Sequence, residues 1–370
     1  MKIRRIAPVL VLALLLPACS GNDAERVVIT RPDVVEETEE DNLADPNASD
    51  EETQAMFAQC AAGSEVSGRA VRVASTVAPI TNLVGIIAAG TDTKVTGIVP
   101  EGTNSHTFEP PPSAAQTLET SDIIFMNGLG LEEPTREMAD ANAKNAVLCE
   151  LGTATLAPSL WLYDFSFPKS GGKPNPHLWT NPPMVLSYAT VIRDALAKAD
   201  PANIETYDKN YVALSVIASN LDEAMTTASA TVPANQRKLL TYHDAYAYFA
   251  VRYQYSVIGA MQPQSFEEPT AKDVATLIDQ VKQERVKAIF GSEVFPSPIL
   301  EQIGKETGVR YVDSLRDDDL PGKPGDADHS WAGLMKFNFI TMVEALGGDA
   351  TALKAVKIDA GVTDKAFYPQ

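Results

Sequence analysis

Histidine and cysteine are scarce in this 370-residue chain, which has four of the first and three of the second. The cysteines, Cys19, Cys60 and Cys149, lie far apart and form no CxxC, so they do not argue for a thiolate metal site. HExxH is absent, and Gly291-Ser292-Glu293 does not make a nucleophile elbow, which removes two common hydrolase patterns. Basic residues are in deficit: 30 Lys and Arg against 49 Asp and Glu give a formal charge of −19, which argues against nucleic acid as a partner. No short internal repeat is present.

What is there begins with a basic start, Met1-Lys2-Ile3-Arg4-Arg5, and an apolar stretch from Ile6 to Ala18. This is the layout of an export signal over residues 1–18, and it falls short of the roughly 20 apolar residues that span a membrane. Leu16-Pro17-Ala18-Cys19-Ser20 resembles a bacterial lipobox, which implies cleavage before Cys19 and a lipid on its sulfur; ordinary secretion with a stray thiol is the other reading. From Ser20 to Glu52 there are twelve acids and two arginines, which account for −10 of the total charge, and no sustained apolar period. Residues 19–56 therefore read as a solvated acidic tether. Cys60 and Cys149 either pair in an oxidising exterior or remain as buried thiols.

The remaining residues, about 310, are enough for two lobes. Short β-branched runs at Ala70–Ser75, Lys94–Val99, Asp122–Met126 and Ala146–Leu151 alternate with helical patterns at Pro79–Ala89, Pro112–Thr120 and Leu131–Ala143. The pattern restarts with strands near Lys238–Tyr242, Tyr255–Ala260, Lys287–Gly291 and Arg310–Ser314, and with helices from Ala245, Thr270, Ser297 and Trp331. Such alternation predicts an α/β fold of two lobes, each with a mainly parallel sheet flanked by helices. Between them, Asp200-Pro201 reads as a helix start, and apolar residues from Ile204 to Met225 recur every three or four positions. The expectation is one long rigid linking helix over residues 201–229, between lobes at 57–200 and 230–370.

Three histidines, His106, His177 and His243, stand 71 and 66 residues apart, and Asp313 follows 70 residues later. His106 and His243 directly follow strands and Asp313 closes one, which is where parallel sheets place ligand-binding loops. Imidazole nitrogens and one carboxylate suit zinc, or manganese if oxygen donors dominate. Glu109, Asp244 and Glu293 are candidates by position for orienting the rings. His329, in a Pro/Gly/Asp-rich loop, reads as part of a solvated turn with an N-cap at Ser330, and Asp317-Asp318-Asp319 as a solvated loop without EF-hand spacing.

Several segments resemble the metal-binding receptor lipoproteins of bacterial zinc and manganese ABC importers: Gly97-Ile98-Val99-Pro100 through His106 to Glu109-Pro110; Asn127-Gly128-Leu129-Gly130-Leu131-Glu132; and Asn175-Pro176-His177-Leu178-Trp179. Tyr242-His243-Asp244-Ala245-Tyr246-Ala247-Tyr248-Phe249 and Asp313-Ser314-Leu315 extend the likeness, which covers about Arg69 to Gly348. The resemblance implies metal ligands at His106, His177, His243 and Asp313. It also implies the transmembrane subunits of an ABC importer as partners, and an extracytoplasmic monomer held at the cell membrane by its lipid. Asn175 stands where that family commonly has aspartate, and the histidine-rich loop of many zinc-specific members is missing. Histidine at position 243, where manganese-selective members tend to carry a carboxylate, favours Zn2+ over Mn2+ as the transported ion. Two other functions compete: a metal-dependent hydrolase with a three-histidine zinc centre, and a surface adhesin with a structural metal. A four-ligand centre leaves no open position for activated water, which favours the binding protein.

Overall fold

Residues with β-branched and apolar side chains over four to six positions form the strands, and each is followed by an amphipathic or apolar helix. The computed structural model describes residues 48–261, 270–292 and 297–370. The first lobe contains α1 (Glu51–Cys60), β1 (Arg72–Ser75), α2 (Ala78–Ala88), β2 (Lys94–Gly97), α3 (Pro112–Thr120), β3 (Ile123–Met126), α4 (Glu133–Asn142), β4 (Val147–Glu150) and α5 (Leu151–Thr155). Two long helices follow, α6 (Pro182–Ala199) and α7 (Ile204–Thr231). The second lobe contains β5 (Lys238–Thr241), α8 (Ala247–Tyr253), β6 (Ser256–Ala260), α9 (Ala271–Glu284), β7 (Ala288–Ser292), α10 (Pro298–Thr307), β8 (Arg310–Leu315), α11 (Trp331–Ala345) and α12 (Thr351–Ala355).

Both sheets are wholly parallel among the described residues and share one strand order, β2-β1-β3-β4 and β6-β5-β7-β8. Every residue of β3 and of β7 is buried, as expected where helices cover both faces of a parallel sheet. All eight strands expected from the sequence are present. In each sheet the chain winds to both sides of the first strand, so the carboxyl ends near that strand open a crevice.

Helix α7 has 28 residues, roughly 42 Å at 1.5 Å per residue. It buries Tyr207, Leu214, Ile217, Leu221 and Met225, spaced by three, four or seven, and packs against α2 and α6 of the first lobe and α11 and α12 of the second. One rigid element therefore supports both halves. Its start differs from the expected one: Pro201–Asn203 forms a 3₁₀ turn, and the Asp200 carboxylate accepts from Asn203 Nδ2 (2.7 Å) and Tyr207 Oη (2.9 Å) rather than from a backbone N–H. Helix α6 lies in the stretch read only as the end of the first lobe, and its two leading prolines, Pro182 and Pro183, suit a helix start.

Two boundaries move. The expected tether to residue 56 overlaps α1, which is held by Thr53 Oγ1 donating to Leu156 O (3.2 Å), Gln59 Nε2 donating to Leu148 O (2.7 Å), and a disulfide from Cys60 to Cys149 with sulfurs 2.04 Å apart. The residues after α12 return to the first lobe: Gly97 N donates to Phe367 O (2.8 Å) and Phe367 N to Val95 O (2.9 Å), so Phe367 lies alongside β2. The signal at 1–18, Cys19 and residues 19–47 of the tether lie outside the described residues, as does Glu293. No helix among the described residues is long and apolar enough to cross a membrane.

The disulfide spans 89 positions, so replacing both Cys60 and Cys149 by serine should reduce the free energy of unfolding by roughly 4–5 kcal/mol through loop-closure entropy. Urea unfolding of the wild type and the double variant measures this, and coincident midpoints would refute it.

Candidate metal centre

His106 belongs to the loop that leaves β2, and Asn104 Oδ1 accepts its backbone N–H at 2.9 Å. Asn175 does the same for His177 at 3.0 Å, and its Oδ1 also lies 2.8 Å from His177 Nδ1. The Asn175 amide is oriented by its other end, because Nδ2 donates to Asp164 Oδ2 (2.7 Å) and to Asp244 O (2.7 Å). An amide oxygen only accepts, so His177 Nδ1 carries the proton and Nε2 presents its lone pair. His243 follows β5, and its Nδ1 lies 3.6 Å from Asp317 Oδ2.

The Nε2 atom of His106 is 3.2 Å from that of His177 and 3.1 Å from that of His243, and one ligand atom of each residue lies within 4.8 Å of the others. Zinc–nitrogen bonds of about 2.0–2.1 Å at tetrahedral angles place donors roughly 3.3–3.4 Å apart. The observed spacing is therefore that of imidazoles around a small dication. His177 is 0% and His243 3% exposed, while His106 is half-buried. Burial, then repulsion from neighbouring rings, holds His106 and His177 well below the ordinary imidazole range. Burial also lowers His243, opposed by the nearby Asp317 and Asp244 carboxylates. At neutral pH all three rings are uncharged, as metal ligation requires.

The turn Asn127–Glu132 supports this centre from the first lobe. Glu132 accepts from Asn127 N (2.9 Å), Gly128 N (3.1 Å) and Thr76 Oγ1 (2.6 Å), and burial pushes it up to about 7. Asn127 then donates from Nδ2 to Pro176 O (2.9 Å), directly before His177. Gly128 has φ 76°, and a Cβ there would stand 2.6 Å from Glu150 Oε2 and Thr153 Oγ1, so only glycine fits.

Residues 73–345 match the model of the family described as ZnuA, zinc-uptake complex component A, periplasmic. The chain belongs to this family. It is 30% identical to the manganese-binding lipoprotein MntA of Halalkalibacterium halodurans, over 70% of this chain and 83% of that relative. It is 26% identical to the metal ABC transporter substrate-binding lipoprotein FimA of Streptococcus parasanguinis, over 70% and 84%. In fold it resembles the periplasmic zinc binding protein TroA from Treponema pallidum, with a TM-score of 0.68 and 23% identity, covering 75% of this chain and 99% of that one. The ZnuA-family chain is thus a metal-binding receptor of the ABC-importer type and not an enzyme, which disposes of the hydrolase alternative.

Of the residues that the sequence nominated, the fold brings the three histidines of this family member together and leaves Asp313 apart. Phe290 pairs with Val312 and Ser292 with Leu315, so Asp313 and Ser314 stand against Gly291 alone. This bulge changes the alternation of side chains, and Asp313 is exposed while Val312 and Leu315 are buried.

Two nearby expectations are corrected. Asp317 and Asp319 are each 6% exposed and do not form a solvated loop. Asp317 Oδ1 accepts from Tyr246 Oη (3.1 Å), Asp318 from the Ser105 hydroxyl, and both Asp319 oxygens from Gly102 N (2.9 Å). Leu320 N completes the series by donating to Glu101 Oε1 (3.3 Å). The acidic run therefore grips the loop that carries His106. His329 is likewise not a solvated residue: it is buried, and its Nε2 lies 3.1 Å from Glu101 Oε1, far from the other histidines in role. Ser330 does cap α11, accepting from Gly333 N (3.0 Å).

Among the residues proposed to orient the rings, Glu109 is exposed, and Asp244 acts through its carbonyl on Asn175 and through Oδ2 accepting from Ser166 N (3.0 Å). Asn175, Asp164 and Asp317 were not read from sequence. A signal for the first was legible: Asn104-Ser105-His106 and Asn175-Pro176-His177 repeat one pattern, and in both the asparagine accepts from the histidine two residues on.

Asn175→Ala is expected to weaken metal binding by about 10- to 100-fold, because it frees the ring and its tautomer. Competition titration against a chelator reads the change, and wild-type affinity would refute the role. A second expectation concerns stability without metal. Depressed histidines bind protons more readily when unfolded, so their stabilising contribution is full above about pH 6.5 and declines as pH falls toward their folded values. Raised Glu132 acts in the opposite sense between about 4.5 and 7. The histidine part is therefore the difference between wild type and His177→Ala: urea midpoints measured from pH 7.5 to 5 should fall more steeply with acid in the wild type, and parallel profiles would contradict this.

Proposed function

We propose that the chain captures zinc outside the cytoplasm and delivers it to the transmembrane subunits of an ABC importer, as a monomer held at the membrane by a lipid on Cys19. The carrying observation is the convergence of three Nε2 atoms, with separations of 3.1 and 3.2 Å, in a largely buried site. Three imidazoles favour zinc over manganese, since manganese prefers a larger share of oxygen donors. The relative MntA, a manganese-binding lipoprotein, speaks for manganese, and competition between the two ions decides.

Asp313 is proposed as the fourth donor on loading. It lies in the β7–β8 bulge, and a one-residue slip of register there would reverse the face to which it points. That change would bring a carboxylate from the end of β8 toward the neutral triad, leaving a net charge of +1 on a zinc centre.

The test is elemental analysis of natively expressed protein together with zinc and manganese titration of variants. His106→Ala, His177→Ala and His243→Ala should each lower affinity by orders of magnitude, while His329→Ala leaves it near wild type, since each of the first three removes an inner-sphere donor. Equal losses for all four would overturn the site. Asp313→Asn should weaken zinc binding by about tenfold or more, and an unchanged affinity would remove Asp313 from the ligand set.

A further inference from the structure

Residues 317–320 follow β8 in the second lobe and reach the surroundings of all three clustered histidines. Asp317 Oδ2 stands 3.6 Å from His243 Nδ1, and Asp317 O accepts from Trp179 Nε1 (3.0 Å), two residues after His177. The next three residues hold the loop of the first lobe that carries His106. Asp318 accepts from the Ser105 hydroxyl, both Asp319 oxygens accept from Gly102 N (2.9 Å), and Leu320 N donates to Glu101 Oε1 (3.3 Å).

This run is fixed from behind. The fully buried Asn338 of α11 accepts from Arg316 N (3.1 Å) and donates to Arg316 O (2.6 Å), and Arg316 Nη1 donates to Leu320 O (3.0 Å), which closes the turn. Its grip on the loop is unevenly shared. Glu101 meets Leu320 N, His329 Nε2 (3.1 Å) and Gln370 Nε2 (3.0 Å), so loss of one contact leaves two. Among the described residues, Gly102 N donates to Asp319 alone. Asp319 is 6% exposed, and a carboxylate so far from water is tolerated where N–H donors meet it.

We propose that Asp319 is a positioning residue of the metal centre: through Gly102, and with Asp318 on Ser105, it holds His106 within reach of the other two rings. This rests on the metal-receptor reading above. A donor already in place loses little conformational freedom when the ion binds, whereas a released loop must be ordered again each time, at a cost in affinity. His106 thus belongs to the first lobe by sequence and is placed by the second.

Competition titration of zinc against a chelator tests the proposal, together with the imidazole proton resonances of the zinc-loaded full chain, in which four histidines keep the signals countable. Asp319→Ala should weaken zinc binding by about tenfold, and Asp319→Asn, which keeps an oxygen acceptor, should stay within about threefold of wild type. In Asp319→Ala the His106 signals should move more than those of His177, because Asn175 fixes the latter ring independently. Glu301→Ala, at an exposed acid of α10, should match wild type in both readouts. Wild-type affinity in Asp319→Ala would overturn the proposal. So would equal losses in the Ala and Asn variants, or equal movement of the His106 and His177 signals, which marks a general loss of structure. If Asp319→Ala does not fold, Ser105→Ala takes its place as the smaller change to the same grip, with a loss of about threefold or more expected and wild-type affinity overturning the assignment. A wild-type chain that binds neither zinc nor manganese would instead defeat the receptor reading.

Discussion

Three imidazoles that turn their lone pairs toward one point repel each other, and they stay so arranged only if something holds the opposite edge of each ring. That constraint organises much of the structure near the lobe interface. Asn175 fixes His177 through Nδ1, and is itself fixed by Asp164 and the Asp244 carbonyl. Asp317 stands behind His243, tied by Tyr246 Oη and, through its carbonyl, by Trp179 Nε1 at 3.0 Å. Asp164 and Asp244 are both buried, and burial holds both carboxyls above the usual carboxylate range.

The same arrangement explains why the two lobes act as one body. Trp331 Nε1 donates to Trp179 O (2.8 Å), and Trp331 N to Asn82 Oδ1 (2.9 Å), so the start of α11 is joined both to the loop after His177 and to α2. The run Asp317 to Leu320 reaches from the second lobe to the His106 loop, and the C-terminal residues return to β2. With α7 behind and these bonds in front, the donors are preorganised.

The strands were legible because a buried parallel strand must be apolar on both faces, as Ile123–Met126 and Ala288–Ser292 are. The linking helix was legible through the recurrence of Tyr207, Leu214, Leu221 and their neighbours. Helix α6 was not, although Pro182-Pro183 marks its start, and α1 was hidden because Glu51 and Glu52 continue the acidic composition before them. The histidines were legible by their rarity, and His106 and His243 also by their places after strands. Asp313 illustrates the limit: a bulge that shifts side-chain alternation leaves little mark on the sequence.

By itself the sequence determined the two-lobed parallel architecture and singled out the three histidines that the fold brings together, because strand burial and the shortage of histidine are properties of residue type. Tertiary structure alone decided which acids are buried behind His243 and under the His106 loop, since Asp317 and Asp319 owe their burial to Tyr246 and Gly102, residues 71 and 217 positions away. A run of aspartates is soluble by composition; only distant hydrogen-bond donors, brought close by folding, make burying it tolerable.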